Sequence, residues 1–210
     1  MISRSVSELG PLTTMIANAG IAQVKPLLDL TEEDMTRMFS INVFGVHNCY
    51  SLAAKQMIAQ GPPASGVYKL IGAASIVAFK PFPLLSHYSA SKWAVRGLTQ
   101  AYAMELAEHK ITVNAYAPGI VGTAMWELID EKLAEINGTE RGSMVKKYTK
   151  ELTALGRTSV PEDVSGLVSF LAGKDSDFVT GDSTSGHANA YCTDNGEGQT
   201  QVVDGGIIYT

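Results

Sequence analysis

Short β-prone runs, each closed by turn residues and separated by helix-length stretches, most restrict the folds open to this chain. Residues 12–17 run into Asn18-Ala19-Gly20, 67–74 into Ser75, 111–118 into Pro118-Gly119, and 199–206 carry a last short strand with its Asp204-Gly205-Gly206 turn. The intervening segments read as helices. Thr31 is a good N-cap with Asp34 as its reciprocal partner, and Met35, Met38, Phe39, Val43 and Val46 follow at helical spacing. A second helix carries Tyr88 and Lys92 and continues through Trp93, Leu98, Tyr102 and Leu106 to about His109. Its small residues Ala90, Ala94, Gly97 and Ala101 suit close packing, against a second subunit or against its own sheet. Ser159 and Glu162 form a capping-box pattern, with Pro161 early in a helix whose apolar face is Val164 to Leu171. Strand–helix alternation of this kind predicts an α/β fold: a parallel sheet with helices on both faces, built as a single domain over 1–210. The polar-rich helical region 124–156 follows a strand's C-terminal end and is expected to be a lid.

The composition narrows the function classes. A chain of 210 residues with 45% apolar content can bury one sizeable core, and its net charge of −5 argues against a nucleic-acid surface. No apolar run approaches membrane-spanning length, and the N-terminus lacks the apolar segment of a secretory signal. Cys49 and Cys192 make neither a disulfide framework nor a ligand pair, and His47, His87, His109 and His187 are scattered. A metal-free, cytoplasmic protein without nucleic-acid or membrane partners is expected.

The chemistry concentrates between Ser75 and Lys92. Tyr88 and Lys92 are four apart and share one helix face. An ammonium beside a phenol favours phenolate, which lowers a tyrosine pKa from about 10 toward the range useful for proton transfer. Ser75, at a strand's end, has a hydroxyl that could reach the same substrate oxygen. Tyr-x-x-x-Lys is weak alone, but of the eight tyrosines only Tyr88 has Lys four positions later. Asn42 falls among core-facing positions, so its amide is either a structural bridge or a functional relay. Asn18 and Gly20 stand where open α/β sheets place ligands. The Gly119–Thr123 segment offers small residues and backbone N–H groups to a flat ligand.

In this order, Asn18-Ala19-Gly20, Asn42, Ser75, Tyr88-x-x-x-Lys92, Pro118-Gly119 and Asp204-Gly205-Gly206 resemble the short-chain dehydrogenase/reductase family. The stretches from Gly119 to Asp130 and from Glu151 to Val164 resemble its acetoin/diacetyl reductase, or 2,3-butanediol dehydrogenase, subgroup. The resemblance implies a Rossmann-like, doubly wound fold and NAD(P)-dependent interconversion of a small carbonyl and alcohol, with NAD favoured by the subgroup and a homo-oligomer, dimer or tetramer. It implies Tyr88 as general acid/base, Ser75 as the group that holds and polarises the substrate oxygen, and Lys92 as the residue that tunes Tyr88 and binds ribose. Asn42 would hold a relay water. Asn18, Gly20, Tyr88, Lys92, Pro118, Gly119, Ile120 and Thr123 would bind the cofactor.

Two departures shape the expectations. The family's opening strand and Thr-Gly-x-x-x-Gly-x-Gly turn, a pyrophosphate cradle, has no counterpart here, so the first two βα units are expected to be absent. That makes a catalytically inactive paralogue or partner subunit, unable to bind dinucleotide, the rival expectation. The seventeen residues 182–198 also part Thr180-Gly181 from Gln199; they are polar, with Asp182, Asp194 and Glu197 and no Lys or Arg. They read as a flexible insertion, either a genuine surface loop or the translation of a retained intron. Transcript coverage across those codons separates the two readings, a spliced species marking the intron.

Overall fold

The computed structural model describes residues 1–64, 66–181 and 200–206, with backbone alone at 200–202. The expected insertion at 182–198, with His187 and Cys192, lies outside the described residues. Strands β1 (Thr14–Ala17), β2 (Tyr68–Ala73), β3 (Ile111–Pro118) and β4 (Thr200–Val203) form a parallel sheet in that spatial order. The registers Ala17↔Gly72, Ala73↔Tyr116 and Pro118↔Val203 bring the strands' C-terminal ends to one edge. Asn18, Ser75 and Gly119 therefore meet there although far apart in sequence. Among the described residues β1 is an outer strand, with Ile16 42% exposed.

Strands β2 and β3 are buried almost throughout, as parallel strands covered on both faces must be. Alternate residues serve opposite layers. Leu70, Val113, Ala115 and Ala117 pack on α3 (Gly45–Ala59) and α4 (Ser86–Leu106) through Tyr50, Met57, Val95 and Ala103. Ile71, Ala73 and Tyr116 face the other way, toward Val164 and Leu171 of α7 (Pro161–Ala172). Helix α1 (Ile2–Leu9) adds Ile2 to the first layer. On α4, Ala90, Gly97 and Ala101 are exposed rather than packed on the sheet.

Gly72 is required by a close approach in this core. A Cβ there would overlap the Tyr50 hydroxyl, which is held by Thr99 Oγ1 at 3.2 Å and by the Asn114 carbonyl at 3.3 Å. Gly72→Ala is expected to lower stability by about 1–3 kcal/mol through overpacking, measured as a lower urea midpoint. Adding Tyr50→Phe should return part of that loss, because it removes the clashing oxygen; an additive double mutant would refute the assignment.

Two helix boundaries differ from expectation. The run from Met35 to Val46 is not one α-helix: α2 (Glu32–Phe39) passes through a π turn at Ser40–Phe44 before α3 begins. The wider turn brings Asn42 inside, and such turns often mark functional sites. The capping box at Ser159 and Glu162 does not form. Ser159 is pinned to Ile120, its N–H and its hydroxyl both donating to that carbonyl at 3.0 and 2.8 Å. Helix α7 therefore starts one residue later, and the Asp163 carboxylate accepts the Val160 N–H at 2.8 Å and a two-point bond from Arg157 at 2.6 and 2.7 Å. At α2 the expected Thr31–Asp34 capping box is present.

Candidate active site

Ser75 leaves the end of β2 and caps a single 3₁₀ turn, Ile76–Ala78, accepting the Val77 N–H at 3.3 Å. This fixes its hydroxyl at the sheet edge. Tyr88 and Lys92 enter from the first turns of α4 on one face, both buried (8% and 4% exposed). The Ser75 side chain is near enough to the Tyr88 phenol to favour its ionised form. Lys92 donates from Nζ to the Ala73 carbonyl at 2.7 Å and lies 5.7 Å from the Tyr88 ring centre.

The electrostatics differ from the simple phenol–ammonium picture. Burial pushes the Tyr88 phenol above its ordinary value, with the nearby Ser75 hydroxyl partly offsetting it. Burial also pulls the Lys92 ammonium down to about 8. The ammonium points to Ala73 O and lies beside the ring, not at the hydroxyl. In the protein alone, Ser75 is therefore the group that eases Tyr88 toward ionisation.

Asn42 lies beneath Gly20, fully buried. Its Oδ1 accepts the Ile21 N–H at 2.9 Å, and its Nδ2 donates to Ile21 O at 2.9 Å and to Ser91 Oγ at 3.1 Å. Ser91 in turn donates to the Tyr88 carbonyl at 2.7 Å. These bonds tie the loop after β1 to the helix of Tyr88.

A cleft of about 770 Å³ runs along the sheet's C-terminal edge. Asn18, Gly20, Ser75, Tyr88, Lys92, Pro118, Gly119, Ile120 and Thr123 all line it, whereas Asn42 supports its floor without lining it. A Cβ on Gly20 would stand 3.3 Å from Asn42 Oδ1 and 3.5 Å from Lys92 Nζ, so glycine keeps the approach to those groups open. Helix α5 (Ala124–Asn137) directs its N-terminal turn at the cleft, and its N-cap Thr123 gives no side-chain cap. The positive end of that helix is thus available to an anion. No group of three or more His, Cys, Asp or Glu suited to a metal occurs among the described residues. No described helix is long and apolar enough to cross a membrane.

A family model for short chain dehydrogenases matches residues 1–134. The chain belongs to the short-chain dehydrogenase family. It is therefore an oxidoreductase acting on CH–OH groups. It is 49% identical over 208 residues to an L-2,3-butanediol dehydrogenase of Corynebacterium glutamicum, covering 99% of this chain and 72% of that one. It is 39% identical over 210 residues to a diacetyl reductase [(S)-acetoin forming] of Staphylococcus epidermidis, covering 100% and 73%. Among solved structures it resembles a gluconate 5-dehydrogenase from Burkholderia cenocepacia in complex with NADP and tartrate. That match has a TM-score of 0.76 and 27% identity, and covers 98% of this chain and 68% of that one.

This short-chain dehydrogenase has cleft residues that sequence reasoning missed. Tyr116 donates from its hydroxyl to Asn18 Oδ1, and burial raises its phenol to about 12. Its signal was strand alternation, which turns it away from Ala115 and Ala117. Phe82, Leu85, Trp126, Ile129, Leu133 and Tyr148 form an apolar wall beyond Tyr88. The last four come from α5 and α6 (Ser143–Leu152), two helices joined where Asp130 accepts the N–H groups of Gly142 and, at 2.7 Å, of Val145. Lys92 is the one charged side chain among the described residues lining the cleft.

Proposed function

We propose that this chain interconverts a small, uncharged carbonyl compound and its alcohol with a nicotinamide dinucleotide, and that diacetyl, acetoin and 2,3-butanediol are its substrates. One observation carries the reading: the Tyr88 phenol, with Ser75 beside it, meets Lys92 inside a cleft that is otherwise uncharged and walled by apolar side chains. Such a wall suits methyl groups beside a carbonyl. A carboxylate or phosphate on the substrate would meet no paired cation at the α5–α6 wall, an unfavourable burial.

The residues present fit a dinucleotide on two counts: Gly20 leaves the floor above Asn42 and Lys92 open, and the uncapped start of α5 faces the cleft. Asn18, Gly20, Lys92, Pro118, Gly119, Ile120 and Thr123 would hold it. When bound, the dinucleotide supplies or accepts hydride at the substrate carbon. The chain's own groups handle the oxygen. Ser75 donates a hydrogen bond to it, and Tyr88 gives it a proton in reduction or takes one in oxidation. Lys92 places a positive charge beside the phenolate left behind. Asn42 keeps the loop after β1 and the Tyr88 carbonyl in register through Ile21 and Ser91.

A second reading has its own observation. With Ile16 exposed on the outer strand, the cleft is open at the β1 end. A chain of this kind could keep its proton-transfer groups without retaining dinucleotide, as an inactive paralogue or partner subunit. Fluorescence titration with NADH and NADPH distinguishes the two. We expect micromolar binding of at least one, turnover of diacetyl and acetoin, and none of gluconate. A folded protein that binds neither would establish the second reading; gluconate turnover would refute the substrate class.

A further inference from the structure

A polar chain that ends on the buried His87, beside Tyr88, takes no part in the chemistry above. Gln23, in the loop after β1, donates its amide nitrogen to Asp34 Oδ1 at 2.7 Å. A carboxylate only accepts, so this bond fixes which way the amide faces. The Gln23 carbonyl oxygen is left toward His87 Nε2, 2.9 Å away. That oxygen also only accepts, so His87 must donate from Nε2 and carry a bare Nδ1. His87 is 1% exposed, its Nδ1 is buried with no partner among the described residues, and burial lowers its pKa.

The same loop is fastened at two further points. Lys25 gives its ammonium to Asp34 Oδ2 at 2.6 Å and its backbone N–H to the Leu84 carbonyl at 2.9 Å. Leu84 holds a left-handed conformation at φ 65°, which a non-glycine residue adopts only when its surroundings impose it. Asp34 is anchored too, since it closes the Thr31 capping box. Its carboxylate is held well below the usual range by Lys25 first, then by the Thr31 backbone and Gln23.

We propose that Gln23, Asp34 and His87 are positioning residues that clamp the first turn of α4, and with it Tyr88, to the loop that leaves Gly20. The clamp rests on the acid/base role of Tyr88 for its catalytic meaning, though not for its geometry. It grips α4 one residue before Tyr88, on a turn whose N-cap, Leu85, supplies no side-chain cap. Without it, the contact between the phenol and Ser75 loses a support that Lys92, farther along the helix, does not replace.

The test is Gln23→Leu, read two ways. In protein carrying ¹³Cζ-tyrosine, with Tyr88→Phe for assignment, the Tyr88 titration should move upward as Ser75 draws away from the phenol. With diacetyl, kcat should fall about tenfold or more while KM changes little, as expected for a misplaced catalytic group. His87→Gln, which keeps a donor near the Nε2 position, should recover most of the rate lost in His87→Leu. A lower melting temperature with Tyr88 titration and kcat unchanged would overturn the proposal and leave a purely structural network. If Tyr88→Phe proves active, the acid/base assignment fails, and the titration still decides the clamp. Should Gln23→Leu not fold, the wild-type ¹⁵N-histidine spectrum decides. The Nε2–H form persisting below the ordinary histidine pKa of about 6.5 supports the clamp, and an Nδ1–H form or a charged ring at neutral pH overturns it.

Discussion

Tyr88→Phe should lower turnover of diacetyl by about 10²–10⁴-fold, the usual contribution of a positioned proton donor. The fold should stand: phenylalanine fills the same buried volume, and Ser75 keeps its bond from the Val77 N–H. A stability change within about 1 kcal/mol is expected from the loss of one buried hydroxyl. The pH dependence follows from the direction of the Tyr88 shift. Burial holds the phenol protonated through neutral pH, so carbonyl reduction, which uses the protonated form, should be flat across the neutral range. Alcohol oxidation uses the ionised form and should rise with pH. Steady-state rates in both directions, with far-UV circular dichroism on the variant, check this. A folded Tyr88→Phe protein with near-native kcat would remove Tyr88 from the chemistry.

The strands were legible because their ends are marked by residues with a local reason to turn: Asn18-Ala19-Gly20, Ser75 and Pro118-Gly119. Parallel pairing then gathers those ends, so the convergence of Ser75 and Tyr88 followed from topology alone. What escaped was set by long-range partners. Ser159 carries a capping pattern, but a bond to Ile120, 39 residues away, outweighs it. The π turn at Ser40–Phe44 leaves almost the same apolar periodicity as an α-helix, so Asn42 announced its burial and not its widened turn. Spacing put Tyr88 and Lys92 on one face, yet could not show the ammonium reaching the Ala73 carbonyl, 19 residues away. The pairing of His87 with Gln23 spans 64 residues, and neither residue type signals it.

Lys92→Met should make the protein more stable at pH 7 and nearly inactive. The wild-type ammonium is 4% exposed, and among the described residues its one hydrogen bond goes to the Ala73 carbonyl. Burial lowers its pKa from 10.5 to about 8, so folding at neutral pH must desolvate a charge. A shift of that size corresponds to about 3 kcal/mol. The sign follows from linkage. Between pH 8 and 10.5 the unfolded chain binds more protons than the folded one, so wild-type stability should rise with pH through that window. Methionine follows the lysine stem without the charge, though it leaves Ala73 O short of a donor, at about 1 kcal/mol. The net gain expected at pH 7 is therefore about 1–2 kcal/mol, vanishing toward pH 10.5. Urea midpoints of both proteins at pH 7 and pH 10 measure it. Equal loss of stability at both pH values would mean that the ammonium is no burden to the fold. A stabilised, inactive variant would instead show a charge kept in the core against the preference of folding, as the proposed role of Lys92 requires.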